Sequence, residues 1–175
     1  MREKVPYGFA IYPQMSLFKL SYDIVDLATE KKMFSVKKDG TFKHNIYIYD
    51  YGGQEIIRAK KTSTWKTIYD IEKKGFHIAS LRYSGGLCDS TIYLETESHR
   101  FIGSRVKGSS YQFTDLRGNI VFYFGRDTGL FHSEYTLEVY DSIQPEIAMV
   151  ASIIIDLIIR SQQTAAVSAS TAATS

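Results

Sequence analysis

Apolar and polar residues alternate over most of this chain, and one long stretch departs from that period. Phe18, Leu20, Tyr22 and Ile24 interleave with Lys19, Ser21 and Asp23. A repeat of two places the apolar side chains on one face of a strand and the polar ones on the other. Segments rich in aromatic and β-branched residues recur at 8–12, 33–36, 46–49, 56–59, 65–71, 76–83, 92–94, 100–107, 111–114, 120–124 and 135–139. With 18–24 they predict about twelve strands. The breaks between them share a chemistry. Asp50-Tyr51-Gly52-Gly53 and Asp115-Leu116-Arg117-Gly118 each leave an apolar strand on an aspartate and turn at glycine, and Lys38-Asp39-Gly40 is a third of the kind. An aspartate side chain accepts hydrogen bonds from backbone amides just ahead of it, and glycine adopts positive φ without a steric penalty. Asp26 and Asp70 are placed at similar strand ends. Hairpin turns repeated in this way predict an antiparallel meander.

The departure is 145–162, PEIAMVASIIIDLIIRSQ, which is apolar on every side of a helical wheel. A helix hydrophobic all round must be enclosed. Its apolar run, 147–159, is too short for a bilayer core, which takes about 20 residues, and Ser152 and Asp156 interrupt it. The pattern therefore predicts a buried helix and no transmembrane span. Pro145 and Glu146 suit its N-terminal turn, and Arg160 suits the negative end expected just beyond it. Asp156 is expected at the barrel mouth, capping a strand or helix end, because a buried carboxylate requires hydrogen-bond partners. Twelve strands followed by one such helix predict a closed antiparallel β-barrel around a central helix, which also removes exposed strand edges. Residues 1–6 read as a short leader, 7–162 as the barrel domain, and the Ala/Ser/Thr-rich segment 163–175 as a disordered tail.

Composition adds two constraints. Apolar residues make up 44% of the 175, enough for one sizeable core. The single cysteine, Cys88, excludes an internal disulfide framework and fits a reducing compartment. With no apolar signal-peptide stretch at the N-terminus, the expected location is cytoplasmic, peripheral at a membrane if lipid is bound. The net charge of +2 implies no partner, but its distribution does: between residues 31 and 74 eleven Lys or Arg face five acidic residues. Lys37, Lys38, Arg58, Lys60, Lys61 and Lys66 are the candidate anion- or lipid-binding residues, Arg58 and Lys60 sharing one strand face with Lys61 at its end and Lys66 on the next strand. For catalysis or metal the chain offers less. His44, His77, His99 and His132 are scattered, no zinc spacing joins them to Cys88 or Glu134, and neither a nucleophile elbow nor a phosphate-binding glycine loop is present. The expectation is a non-enzyme without metal or cofactor.

The succession of strands and Asp–Gly turns, then Tyr135-Thr136-Leu137-Glu138-Val139, an acidic turn and Ala148-Met149-Val150-Ala151-Ser152-Ile153-Ile154-Ile155-Asp156, resembles the tubby C-terminal-like superfamily. Within it the sequence is most similar to the LURP-one-related (LOR) group, with phospholipid scramblases as more distant relatives. The resemblance runs from Tyr12 to Arg160 and is most specific over 111–124 and 135–156. It implies a twelve-stranded barrel threaded by a C-terminal hydrophobic helix. It also implies an intracellular binding or scaffold role, since tubby domains recognise membrane phosphoinositides; their lipid-contacting motif has no residue-by-residue match here, so the basic candidates rest on charge placement alone. Scramblase-like lipid handling is the alternative. The cysteine-rich palmitoylation segment and the calcium-binding acidic loop of scramblases are both missing from this sequence. A protein-interaction module in signalling or transcription is a further alternative; nucleic acid is disfavoured by the lack of a recognition helix or stacking platform. A lipocalin-like carrier is disfavoured because the helix fills the lumen.

Overall fold

In a computed structural model of the chain, which describes residues 5–16, 19–39, 45–63, 66–85, 90–127, 134–140 and 142–172, the alternation becomes an inside and an outside. Twelve strands follow in order: β1 (Tyr7–Ser16), β2 (Lys19–Asp26), β3 (Lys31–Lys38), β4 (Ile46–Asp50), β5 (Glu55–Lys61), β6 (Thr67–Lys73), β7 (Phe76–Gly85), β8 (Ser90–Thr96), β9 (Arg100–Lys107), β10 (Ser110–Thr114), β11 (Ile120–Asp127) and β12 (Glu134–Val139). Each pairs antiparallel with its sequence neighbours, and β1 with β12 closes the barrel. Several residues singled out in the sequence lie outside the described set: Phe18, Gly40, His44, Cys88 and His132, with Trp65 of the segment 65–71 and residues 1–4 of the expected leader.

Register explains why the inward face is so uniform. Ile46 is paired with Ala59, Ala59 with Ile71, and Ile71 with Ala79, so one inward row of large and small apolar residues runs around the wall. Ile24, Ile48, Leu81, Leu94, Phe113, Phe124 and Leu137 are likewise fully buried. Where the wall is most crowded it uses glycine: a Cβ on Gly103 of β9 would overlap the Phe113 ring, which itself stacks on Phe122 at 4.1 Å.

The lumen is filled by α1 (Pro145–Ala172). Twelve strands about 4.8 Å apart and tilted by roughly 40° enclose a wall some 24 Å across. Taking off about 5 Å of inward side chains on each side leaves about 14 Å, room for one helix of about 10–12 Å and no more. Ile147 through Asp156 are buried without a break. The segment Pro145–Ala165 is long and apolar enough to cross a bilayer, but 61% of its apolar window lies inside the protein. Two expectations need correction here. The helix does not end near residue 162 but continues through the Ala/Ser/Thr segment to Ala172; alanine is the best helix former, and a helix already nucleated inside the barrel propagates at little cost. Arg160 is consequently remote from the helix C-terminus, and its position there is not what holds it.

Candidate functional site

Because the sheet is a meander, every second connection falls at the same end of the barrel. The short turns after β2, β4, β6, β8 and β10, and the link from β12 to α1, lie at one end; α1 enters there. The connections after β1, β3, β5, β7, β9 and β11 lie at the other, where α1 leaves. Charge follows this division. Taking each connection with two flanking residues on either side, the described residues of the entry end include ten acidic and six basic, and those of the exit end three acidic and eight basic. An overall charge of +2 therefore conceals a barrel that is acidic at one end and basic at the other.

The six basic residues nominated from the sequence do not form one cluster, and the period-2 geometry is the reason. Inward positions of β5 are Ile57 and Ala59, which places Lys61 inward at the exit end, while Arg58 and Lys60 face out. Lys38 is the last residue of β3 and Ile46, its partner across the ladder, is buried. Lys38 and Lys61 thus come together on the wall of a cavity of about 200 Å³, with Thr67, Tyr69, Leu157, Ile158 and Ser161. No ion pair engages either lysine among the described residues. Burial pushes the Tyr69 hydroxyl up to about 12, so that it stays a neutral hydrogen-bonding group on the cavity wall.

The others sit elsewhere. The Arg58 guanidinium donates from Nε and Nη2 to the Glu55 carboxylate at 2.9 and 3.1 Å and lies 5.2 Å from the Tyr47 ring. Lys60 Nζ is 2.9 Å from Glu72 Oε1. Both are surface pairs on the outer wall, where their charge is already compensated. Lys37 points outward over the Tyr49 ring. Lys66 does not lie on the following strand as expected; it precedes β6, its amide donating to Ser63 Oγ at 3.0 Å. Sequence reasoning missed Lys107, at the exit-end terminus of β9, and the helix residues Leu157, Ile158 and Ser161 that floor the cavity. Only the strand order links them to Lys38; the meander itself held that signal.

Asp156 is 1% exposed and does not cap a strand or helix end. It accepts hydrogen bonds from the Tyr22 hydroxyl at 2.6 Å, from the Tyr135 hydroxyl, and from Arg160 Nε at 2.7 Å. This ties the middle of α1 to β2 and β12. Burial first, then the charge of Asp156 beside it, raises the Tyr22 hydroxyl well above its ordinary value. Tyr135 is pushed up to about 12 by burial and by its hydrogen bond to Asp156. For Arg160, burial alone lowers the pKa, but the hydrogen bond and charge of Asp156 outweigh it and raise the guanidinium further. Every polar group of the cluster is engaged, so it reads as a fastening for the helix.

One arrangement invites a catalytic reading. His77 Nε2 lies 2.9 Å from Ser80 Oγ, which lies 2.9 Å from Asp70 Oδ1. Its polarity is wrong for a nucleophile. The single serine proton goes to the carboxylate, so the imidazole must donate to Oγ and cannot accept from it, whereas an activated serine needs histidine as its base. The trio lies on the outer surface of β6 and β7. No group of three His, Cys, Asp or Glu side chains able to hold a metal ion occurs among the described residues.

No protein-family model matches the sequence, and no curated protein does. Among solved structures, the X-ray structure of a protein from Arabidopsis thaliana, AT5G01750, is similar: TM-score 0.55 at 16% identity, covering 90% of this chain and 94% of that one. The superposition shows a shared fold over nearly the whole length of both chains, and no more than the fold.

Proposed function

We propose that this barrel is a non-enzymatic binding domain of the tubby-like, LURP-one-related kind, and that its basic end holds anionic headgroups of a cytoplasmic membrane surface, phosphoinositides foremost. The observation that carries this reading is the pair Lys38 and Lys61, unpaired by any carboxylate among the described residues and facing one cavity. Lys66 and Lys107 stand at the same end. Each lysine near an anionic leaflet contributes about 1 kcal/mol. Four together hold roughly 4 kcal/mol, a millimolar attachment that suits reversible peripheral binding. A phosphorylated headgroup reaching into the cavity adds the affinity and the selectivity that surface charge lacks.

Co-sedimentation with phosphatidylcholine vesicles, with and without phosphoinositide and at two salt concentrations, tests it. Lys38→Ala/Lys61→Ala should weaken partition by about 2 kcal/mol, roughly thirtyfold. Arg58→Ala/Lys60→Ala should change it little, since those charges are already compensated by Glu55 and Glu72. Absence of binding to every vesicle, or equal loss in both variants, would overturn the proposal.

A further inference from the structure

The end opposite the lysines carries a separate feature. Four of its five turns expose a large apolar side chain at or beside the apex: Leu27, Tyr51, Phe76 and Leu116, the last three each more than 70% exposed, with Ile120 following Leu116 and Tyr7 beside them at the start of β1. Scattered single apolar residues on a surface are ordinary. Here they recur turn after turn around one rim, and solvent alone gives no reason to keep them there.

The tips carrying Leu27, Tyr51 and Leu116 are held firmly. Asp26 Oδ1 accepts from the amides of Ala28 and Thr29 at 2.9 and 2.8 Å, Asp50 Oδ1 from Gln54 at 2.8 Å, and Asp115 Oδ1 from Arg117 and Asn119 at 2.8 and 2.9 Å. Turns fixed by their own aspartates present their side chains with little left to order on binding, which lowers the cost of association. The fifth turn, residues 97–99, has no apolar tip and is flanked instead by two cavities. One, of about 260 Å³, includes His77, Glu97, His99 and Gln144; the other, of about 350 Å³, includes His99, Asp115, Leu116 and Arg117. Phe76 and Leu116 stand on either side of this indented stretch. The surface thus offers both knobs and holes.

Its charge decides the occupant. Of its ten acidic residues Glu55, Glu72, Glu95 and Glu146 are ion-paired, with Arg58, Lys60, Arg100 and Lys73, and of its six basic residues Lys32, Lys73 and Arg100 are; among the described residues six carboxylates against three cations remain outside ion pairs, a net negative rim that repels an anionic leaflet. We infer that the acidic end is a docking face for a protein segment that presents apolar side chains among lysines and arginines. Apolar contact at the tips supplies the affinity, and the surplus of carboxylates selects the sign of the partner and speeds its approach. This rests on the end remote from Lys38 and Lys61 and requires no lipid.

The test is amide NMR of the full chain, titrated with a synthetic amphipathic Lys/Leu helix and, in parallel, with the same peptide carrying Glu for Lys. The Lys/Leu peptide should produce saturable shifts confined to residues 27–30, 51–54, 74–77, 97–99 and 115–119. Phe76→Ser/Leu116→Ser should weaken that binding roughly tenfold, and Glu30→Lys/Glu97→Lys should weaken it and reduce its salt dependence. All four residues are exposed, so unchanged spectra elsewhere will certify the fold. The inference is overturned by an absence of saturable shifts, by equal binding of the Glu peptide, by shifts centred on the exit end, or by variants that bind like the parent. Shifts of the same amides with protein concentration alone would overturn it too, by assigning the face to a second copy of the chain.

Discussion

Replacing Asp156 should cost more stability than replacing any other charged residue described here. Asp156→Leu keeps the branched shape of the side chain and removes the acceptor for two hydroxyls and one guanidinium. Tyr22 is 1% exposed and Tyr135 3%, so neither hydroxyl can reach water, and each orphaned buried donor costs about 1–3 kcal/mol. Arg160 is different: its side chain is 28% exposed and can turn outward. The sum for the two, about 2–6 kcal/mol, is centred on the roughly 3–5 kcal/mol usual for breaking a buried charged network from one side. It is a large share of the 5–15 kcal/mol typical of a whole domain. With a urea m-value of about 2 kcal/mol/M, the unfolding midpoint followed by circular dichroism should fall by roughly 2 M. Adding Tyr22→Phe and Tyr135→Phe to Asp156→Leu removes the orphaned donors and should recover most of the loss, because an apolar replacement of a whole buried network is often close to neutral. A midpoint shift under about 0.5 M for Asp156→Leu alone would show that the carboxylate does not fasten the helix. A triple variant no better than the single one would show that the hydroxyls are not what it leaves unsatisfied.

Two further outcomes follow from the wall and the tyrosines. Gly103→Ala places a methyl group against the Phe113 ring, which is itself locked on Phe122; overpacking of this kind should lower stability by about 1–3 kcal/mol, read from the same urea transition, and Phe113→Leu should relieve part of it. Stability should also fall on the alkaline side. An unfolded tyrosine loses its proton near pH 10, whereas Tyr69 and Tyr135 hold theirs to about 12 in the folded protein. Between those pH values the unfolded state binds fewer protons, and each such tyrosine removes about 1.4 kcal/mol per pH unit. Urea transitions at pH 9, 10 and 11 measure the slope, and Tyr69→Phe should reduce it by the share of one hydroxyl. A flat profile from pH 9 to 11 would contradict the assignment.

The twelve strands and the buried helix were legible in the order of residues because burial on one face imposes a period of two, and burial on all faces removes any period. The Asp–Gly turns were legible for a local reason as well: their hydrogen bonds close within four residues, as Asp50 to Gln54 and Asp115 to Asn119 show. The helix C-terminus was not, since the weak Ala/Ser/Thr pattern after Gln162 becomes helical as the continuation of a helix that the barrel has already nucleated.

Charge is where sequence and structure part most clearly. Counted along the chain, the basic surplus is a block between residues 31 and 74. Folded, that block is divided twice. The strand period sends Arg58 and Lys60 to the outer wall and Lys61 into the mouth, and the meander sends alternate connections to opposite ends. Arg160 meets Asp156 from one helical turn away, but Tyr22 and Tyr135 lie 134 and 21 positions from it, and no local pattern announces their encounter. What the sequence by itself determined is whatever depends on neighbours within about ten residues: strand, turn, helix and their faces. What only the tertiary structure decided is which distant side chains share an end or a cavity, because closing the barrel sets the register of twelve strands at once and so fixes every such meeting together.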